Sequence, residues 1–145
     1  MKENFQITIK RPVEEVFTVV NDFEQLAKAS QGKVKVAPVE GKPKTGKGAE
    51  QMISSEMPGM QDIRVETLEY EENKRVVRKL HIKDLPTTVE LKFAEKDGST
   101  VVDLDVELVP ESMIYKMMMP MLTKTIRDQK GKALEEVQKQ LEANA

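Results

Sequence analysis

The sequence predicts an α+β domain: an antiparallel sheet of about seven strands, two short helices after the first strand, and one long C-terminal helix. Three observations predict it. Short runs of alternating apolar and polar residues recur from residue 34 to residue 108, separated by hairpin-length turns, the pattern of strands with one dry face. Helical spacing appears just after the first strand-like run. It appears again, unbroken, from about Ser112 to Glu142. The 145 residues fit a single domain spanning 1–145, with no internal repeat, low-complexity tract or linker.

The elements follow in order. Phe5, Ile7 and Ile9 alternate with Gln6 and Thr8, a half-buried strand. Pro12 with Glu14 and Glu15 starts a helix, because proline wastes no amide there and the acids meet the positive end of the dipole. Val13, Val16, Phe17 and Val20 are its apolar stripe, and Asn21-Asp22 ends it. A second short helix is predicted from Phe23 to about Ala29, stopping at Gly32. Val34 and Val36 open the next strand, the Gly41–Gly48 stretch turns, and Ala49 to about Glu56 forms another. Ile63, Val65 and Thr67 share one phase while Leu68 and Tyr70 share the other, so a bulge is predicted near Glu66–Leu68. Strands carrying Val76–Ile82, Thr87–Phe93 and Val102–Leu108 follow, the last two joined at Asp97-Gly98, a strong hairpin signal. In the final helix Ile114, Met118, Leu122 and Ile126 step by four, a stripe that winds about the axis. Pro120 within it predicts a kink or break near Lys116–Pro120.

Composition narrows the chemistry. With no cysteine and one histidine, His81, the chain has no disulfide, zinc–thiolate site, cysteine nucleophile or two-histidine catalysis. Charge is high but balanced, 23 Lys+Arg against 25 Asp+Glu, which argues against non-specific nucleic-acid binding. The longest nearly apolar run, residues 113–122, contains Lys116 and Pro120 and is short of a bilayer span, so no integral membrane association is expected. These features together point to the cytoplasm.

Several motifs admit two readings. Gly41–Gly48 is a near miss to a phosphate-binding loop, but Gly48 stands where Ser or Thr is needed and a strand follows instead of a helix, so it reads as a turn. Asp103, Asp105 and Glu107 lie about 7 Å apart along one strand face, too far to share a small cation, and read as a solvated face; no metal and no cofactor is expected. His81 falls on the outward phase. Arg78, in contrast, shares its phase with Val76, Leu80 and Ile82. A charge pointing inward needs an acid, such as Glu66 or Glu90, or water and a ligand. Tyr70 and Tyr115 are the only tyrosines, each able to offer a hydroxyl while packing its ring. Of nine methionines, five crowd into 113–121, a composition suited to a plastic apolar wall or a docking patch.

The element order resembles the START-like, or SRPBCC, superfamily with its helix-grip fold. Ile9-Lys10-Arg11-Pro12-Val13-Glu14-Glu15-Val16-Phe17 resembles that family's entry into its first helix, Asn21-Asp22-Phe23-Glu24 its helix–helix corner, and Gly46-Lys47-Gly48 the turn before its third strand. The polyketide cyclase/dehydratase-like and coenzyme Q-binding-like branch is the most similar. The resemblance implies a curved sheet gripping the long helix over an apolar cavity, and a lipid, quinone or polyketide-like ligand. On that basis Arg78, Tyr70, Tyr115, Met113, Met117, Met118, Met121, Leu122, Val89, Leu91 and Leu104 are the expected ligand-binding residues, with the cavity between 113–126 and the strands of Val89, Leu91, Val102 and Leu104. The expected function is non-covalent binding of a hydrophobic or amphipathic small molecule. The alternatives are a cyclase- or dehydratase-type enzyme using Arg78, Tyr70 or Tyr115, and a protein-interaction or co-chaperone-like module using Met117 and Met119. At most three polar candidates reach the cavity, which leans toward a carrier. A weak homodimer is the further partner considered.

Overall fold

The computed structural model describes residues 1–23, 27, 34–43, 45–55 and 61–143, without the side chains of 129–134, 136, 137 and 140. Seven strands form one antiparallel sheet: β1 (Lys2–Ile9), β2 (Val34–Pro38), β3 (Glu50–Ser55), β4 (Ile63–Glu71), β5 (Arg75–His81), β6 (Thr87–Lys96) and β7 (Ser99–Leu108). Their spatial order is β1-β7-β6-β5-β4-β3-β2. From β2 to β7 each strand pairs with its sequence neighbours, and β1 closes onto β7. Among the described residues, the helices α1 (Val13–Asn21) and α2 (Met113–Ala143) lie on the inner face. The predicted second short helix falls largely outside the described residues.

Local chemistry accounts for the turns. Asp97 and Gly98 both take positive φ, +54° and +79°, and Lys96 pairs with Ser99, which is the two-residue hairpin the Asp-Gly pair predicts. The β4–β5 register shifts between Thr67 and Glu69, so the bulge lies at Leu68 and Tyr70 returns to the inner face opposite Val76. Helix α1 begins after Pro12 with Glu14 and Glu15 in its first turn. The Val13 amide donates to the Glu95 carboxylate of β6 at 3.1 Å, so a tertiary contact caps the helix start.

The core gathers on the inner face. Ile9, Val16, Val76 and Val102 are fully buried, with Phe17, Phe93, Leu91, Leu104 and Val106 around them. Phe17 meets Phe93 and Tyr70 edge-on, with centroids 5.0 and 5.4 Å apart.

Helix α2 corrects two expectations. The stripe it packs inward is Tyr115, Met119, Leu122 and Ile126, not Ile114, Met118, Leu122 and Ile126. Ile114 is 70% exposed. The 4-3-4 spacing of the observed stripe tracks the 3.6-residue turn, whereas steps of four drift by about 40° each. Residues 113–122 are apolar on nearly every side, so periodicity alone could not select the phase. Of the kink or break expected near Lys116–Pro120, the break is not found: α2 is continuous across Pro120, which is exposed. Further along, Arg127 pairs with Glu3 at 2.8 Å, Gln138 donates to the Thr8 carbonyl at 2.7 Å, and the Lys10 amide donates to Glu142 at 3.1 Å. Seven strand steps and fifteen helix steps both span about 23 Å, so α2 can run alongside β1 with about two helix residues to each strand residue. Among the described residues no helix is long and apolar enough to cross a membrane.

Candidate functional site

On the inner side, a cavity of about 420 Å³ opens at the C-terminal end of α1. Phe17, Asn21 and Phe23 line it from the helical side, and Val36, Gln51 and Tyr70 from β2, β3 and β4. Thr45, Asp22 and Glu72 add polar surface. The position follows from topology: α1 packs over β6 and β7, α2 along β1, and the inner face of β2–β4 meets the end of α1.

Beside this cavity lies Arg78. The phase argument holds: Arg78 pairs across the sheet with Thr67 on one side and Val89 on the other, and is only 8% exposed. Its guanidinium carbon sits 4.7 Å from the centroid of the Phe23 ring, a cation–π contact. Among the described residues no carboxylate pairs with it. Glu66 is engaged by His81 at 3.1 Å, and Glu90 by Arg75 and Lys92. The Nε of Arg78 is buried without a hydrogen-bond partner. Burial lowers its pKa from 12.5 to about 10, with Tyr70 nearby opposing that in part. Asn21, on the cavity wall, is the second such group. Its Nδ2 donates to the Phe17 carbonyl at 2.8 Å, while its Oδ1 is buried and unpaired.

The expected residues divide into three sets. Tyr70 lines this cavity, and Arg78 adjoins it through Phe23 and Tyr70. Val89, opposite Arg78, is half-buried against the core, and Leu91, Leu104, Leu122 and Tyr115 belong to the packed core or its edge. Tyr115, Met119, Leu122 and Ile126 of α2 pack against the buried cluster that holds Leu91, Val102 and Leu104. Met113, Met117 and Met121 point outward, 72%, 78% and 61% exposed, and Met118 is half-buried. The expectation that they point inward places the inner stripe one residue out of phase.

Phe17, Asn21, Phe23, Gln51, Val36 and Thr45 are cavity residues that the sequence reading does not anticipate. Phe17 reads as core in a helical stripe and packs as core too.

The outer face is chemically different. A groove of about 470 Å³ there is lined by Lys2, Asn4, Arg75, Glu90, Asp105 and Glu107 among others. Its charges are paired: Asn4 donates to Asp103 and Asp105, both at 2.7 Å, and Arg75 contacts Glu69 and Glu90. Asp103, Asp105 and Glu107 thus form the solvated face expected of them.

The model of the polyketide cyclase/dehydrase and lipid transport family matches residues 4–142. No curated protein matches the sequence significantly. Among solved structures, one from Thermus thermophilus, the protein TTHA0849, is similar over 100% of this chain and 99% of its own, at 15% identity and a TM-score of 0.78. A START superfamily protein from Mycobacterium smegmatis shares 16% identity over 97% of this chain and 98% of its own, with a TM-score of 0.75. Truncated norcoclaurine synthase from Thalictrum flavum shares 10% identity over 97% of this chain and 92% of its own, also at 0.75. These likenesses show a START-like fold, and the chain belongs to the polyketide cyclase/dehydrase and lipid transport family.

Proposed function

We propose that this family member binds an apolar or amphipathic small molecule, non-covalently, in the cavity at the end of α1. The observation that carries the reading is the wall itself: Phe17, Phe23 and Tyr70 present aromatic surface around about 420 Å³, within the range of roughly 300–1,000 Å³ usual for small-molecule sites. Burial of apolar ligand surface, at roughly 25 cal/mol per Å², supplies the affinity, and the few polar groups set orientation. A carrier is favoured over a cyclase- or dehydratase-type enzyme, because neither Tyr70 nor Arg78 is paired, among the described residues, with a carboxylate or other base that would activate it, although Asp22 and Glu72 stand on the same wall. Native mass spectrometry of the purified protein tests the reading. The expected result is a co-purified small molecule, or uptake of an added apolar dye that the substitution Tyr70→Trp reduces. A protein that neither carries a molecule nor takes up the dye would overturn it.

A different observation supports a second reading. Met113, Ile114, Met117 and Met121 fall within about 100° around α2, opposite its inner stripe, and all are more than 60% exposed. Met119, expected in this patch, instead packs on the core. A self-complementary stripe of this kind suits a second copy of the chain across a two-fold axis. In an antiparallel pairing about Met117, Met113 meets Met121 of the second copy and Lys124 approaches its Glu111. Sedimentation velocity should show a concentration-dependent dimer that Met117→Glu abolishes; a wild-type monomer at every concentration would dismiss this reading.

A further inference from the structure

We infer that the ligand of the α1 cavity is a singly charged anionic amphiphile, a carboxylate or an acidic phenol or enol on an apolar body, whose charged oxygen is received by Arg78. The inference rests on the cavity reading and deepens it. Arg78 is more than nine-tenths buried on the inner face, its Nε lacks a partner, and no carboxylate among the described residues pairs with it. The two acids that neighbouring strands could have supplied are committed elsewhere, Glu66 to His81 and Glu90 to Arg75.

A guanidinium without an anion is a costly group to keep inside a fold, and an apolar residue would serve packing better. What Arg78 does have is aromatic: the Phe23 ring at 4.7 Å, and Tyr70 close by. Both rings also line the cavity. Arg78 does not itself line the cavity but lies behind these rings, so an anion that shifts Phe23 aside would meet the guanidinium and the unpaired Nε–H, while the ligand's apolar body lies on Phe17 and Tyr70. The unpaired Asn21 Oδ1 on the same wall accepts a hydroxyl or amide donor of such a ligand.

The cavity also limits the charge. Asp22 and Glu72 stand on its wall, so a phosphate dianion or a nucleotide would be repelled more strongly than a lone carboxylate, whose single charge Arg78 can offset.

The test compares decanoate with decanol, two probes with the same chain and different heads, by displacement of the neutral dye Nile red. A hydrogen bond to a charged group predicts that the wild-type protein binds decanoate roughly 10- to 100-fold more tightly than decanol at neutral pH. Arg78→Met should then bind the acid no more tightly than the alcohol. Equal affinities for the two probes in the wild-type protein would overturn the inference while leaving the cavity reading in place. Displacement by neither would overturn both. The wild-type comparison needs no variant, so the outcome does not depend on how Arg78→Met folds.

Discussion

Arg75 and Arg78 stand three residues apart on β5, so the two-residue period of the strand sends them to opposite faces of the sheet. On the outer face Arg75 contacts Glu69 from β4 and Glu90 from β6, and the hydrogen bonds to Glu90 and then Glu69 raise its pKa above the ordinary guanidinium value. On the inner face Arg78 has no carboxylate partner among the described residues, and burial lowers its pKa to about 10. One is a charge the fold has satisfied, and it contributes to the surface as partly exposed ion pairs do. The other is a charge the fold tolerates at a cost. The difference is the one that the inferred role of Arg78 toward a ligand predicts.

The sharpest break of the comparison is Arg78→Met. The folded state disfavours the protonated guanidinium relative to the unfolded chain, so its penalty is present at every pH below about 10 and is relieved only as pH rises from there toward 12.5. At neutral pH the penalty is on the order of 3 kcal/mol. Methionine has similar reach, leaves no stranded acid, and removes that penalty. Thermal melts should therefore show Arg78→Met more stable by roughly 5–10 °C for a chain of this size, constant across the neutral range. A large loss of stability would mean that the guanidinium holds the core together and would end the contrast with Arg75.

Phe23→Leu sharpens the same contrast by removing the aromatic face over Arg78 while keeping an apolar side chain. The cation–π contact is worth about 1–2 kcal/mol for a desolvated pair, so stability should fall by about that much. In the Arg78→Met background the same change should cost less, because no cation remains. Additive effects in the double-mutant cycle would show that Phe23 merely packs there. Arg75→Met should have a smaller effect of opposite sign to Arg78→Met. It leaves Glu69 without this partner and Glu90 with Lys92 alone, but all three groups of the cluster reach solvent, and exposed pairs contribute little.

The same two faces explain what is legible in the sequence. All seven strands, the Leu68 bulge and the Asp97-Gly98 turn are readable because one face is dry and the other wet, which imposes a strict period on β4–β7. That period also assigns Arg78 inward and His81 outward. The cavity is harder to place. Phe17, Phe23 and Gln51 come together only through tertiary packing of α1 against β3 and β4, and nothing in their spacing announces it. In α2 the signal is degenerate, since Met113, Ile114, Met117, Met118, Met119 and Met121 offer apolar surface in several directions. The 4-3-4 match to the core sets the phase, and the remaining methionines are left at the surface.

Glu50 supplies the mirror image of Arg78. Its side chain is 5% exposed on the outward phase of β3, yet it is held by two cations, Lys42 at 3.1 Å and Arg64 at 2.9 Å. Hydrogen bonding to Lys42, chiefly, lowers its pKa below 4.5, with Arg64 adding to this and burial opposing it. The sign follows from that direction. Stability from this carboxylate is present in full above the unfolded value near 4.5 and is lost as pH falls through the lower folded value. Lys42 lies in the turn between β2 and β3, the same turn that carries Thr45 to the cavity. Protonating Glu50 should therefore loosen the connection between that turn and the sheet before the core gives way. Protection of amides in residues 39–48 relative to their intrinsic exchange rates should fall on acidification below pH 4.5, and Glu50→Gln should show the lowered protection already at neutral pH. Protection in this turn that is insensitive to both changes would mean that the backbone bonds from Val39 to Glu50 and from Ala49 to Gly46 hold it unaided.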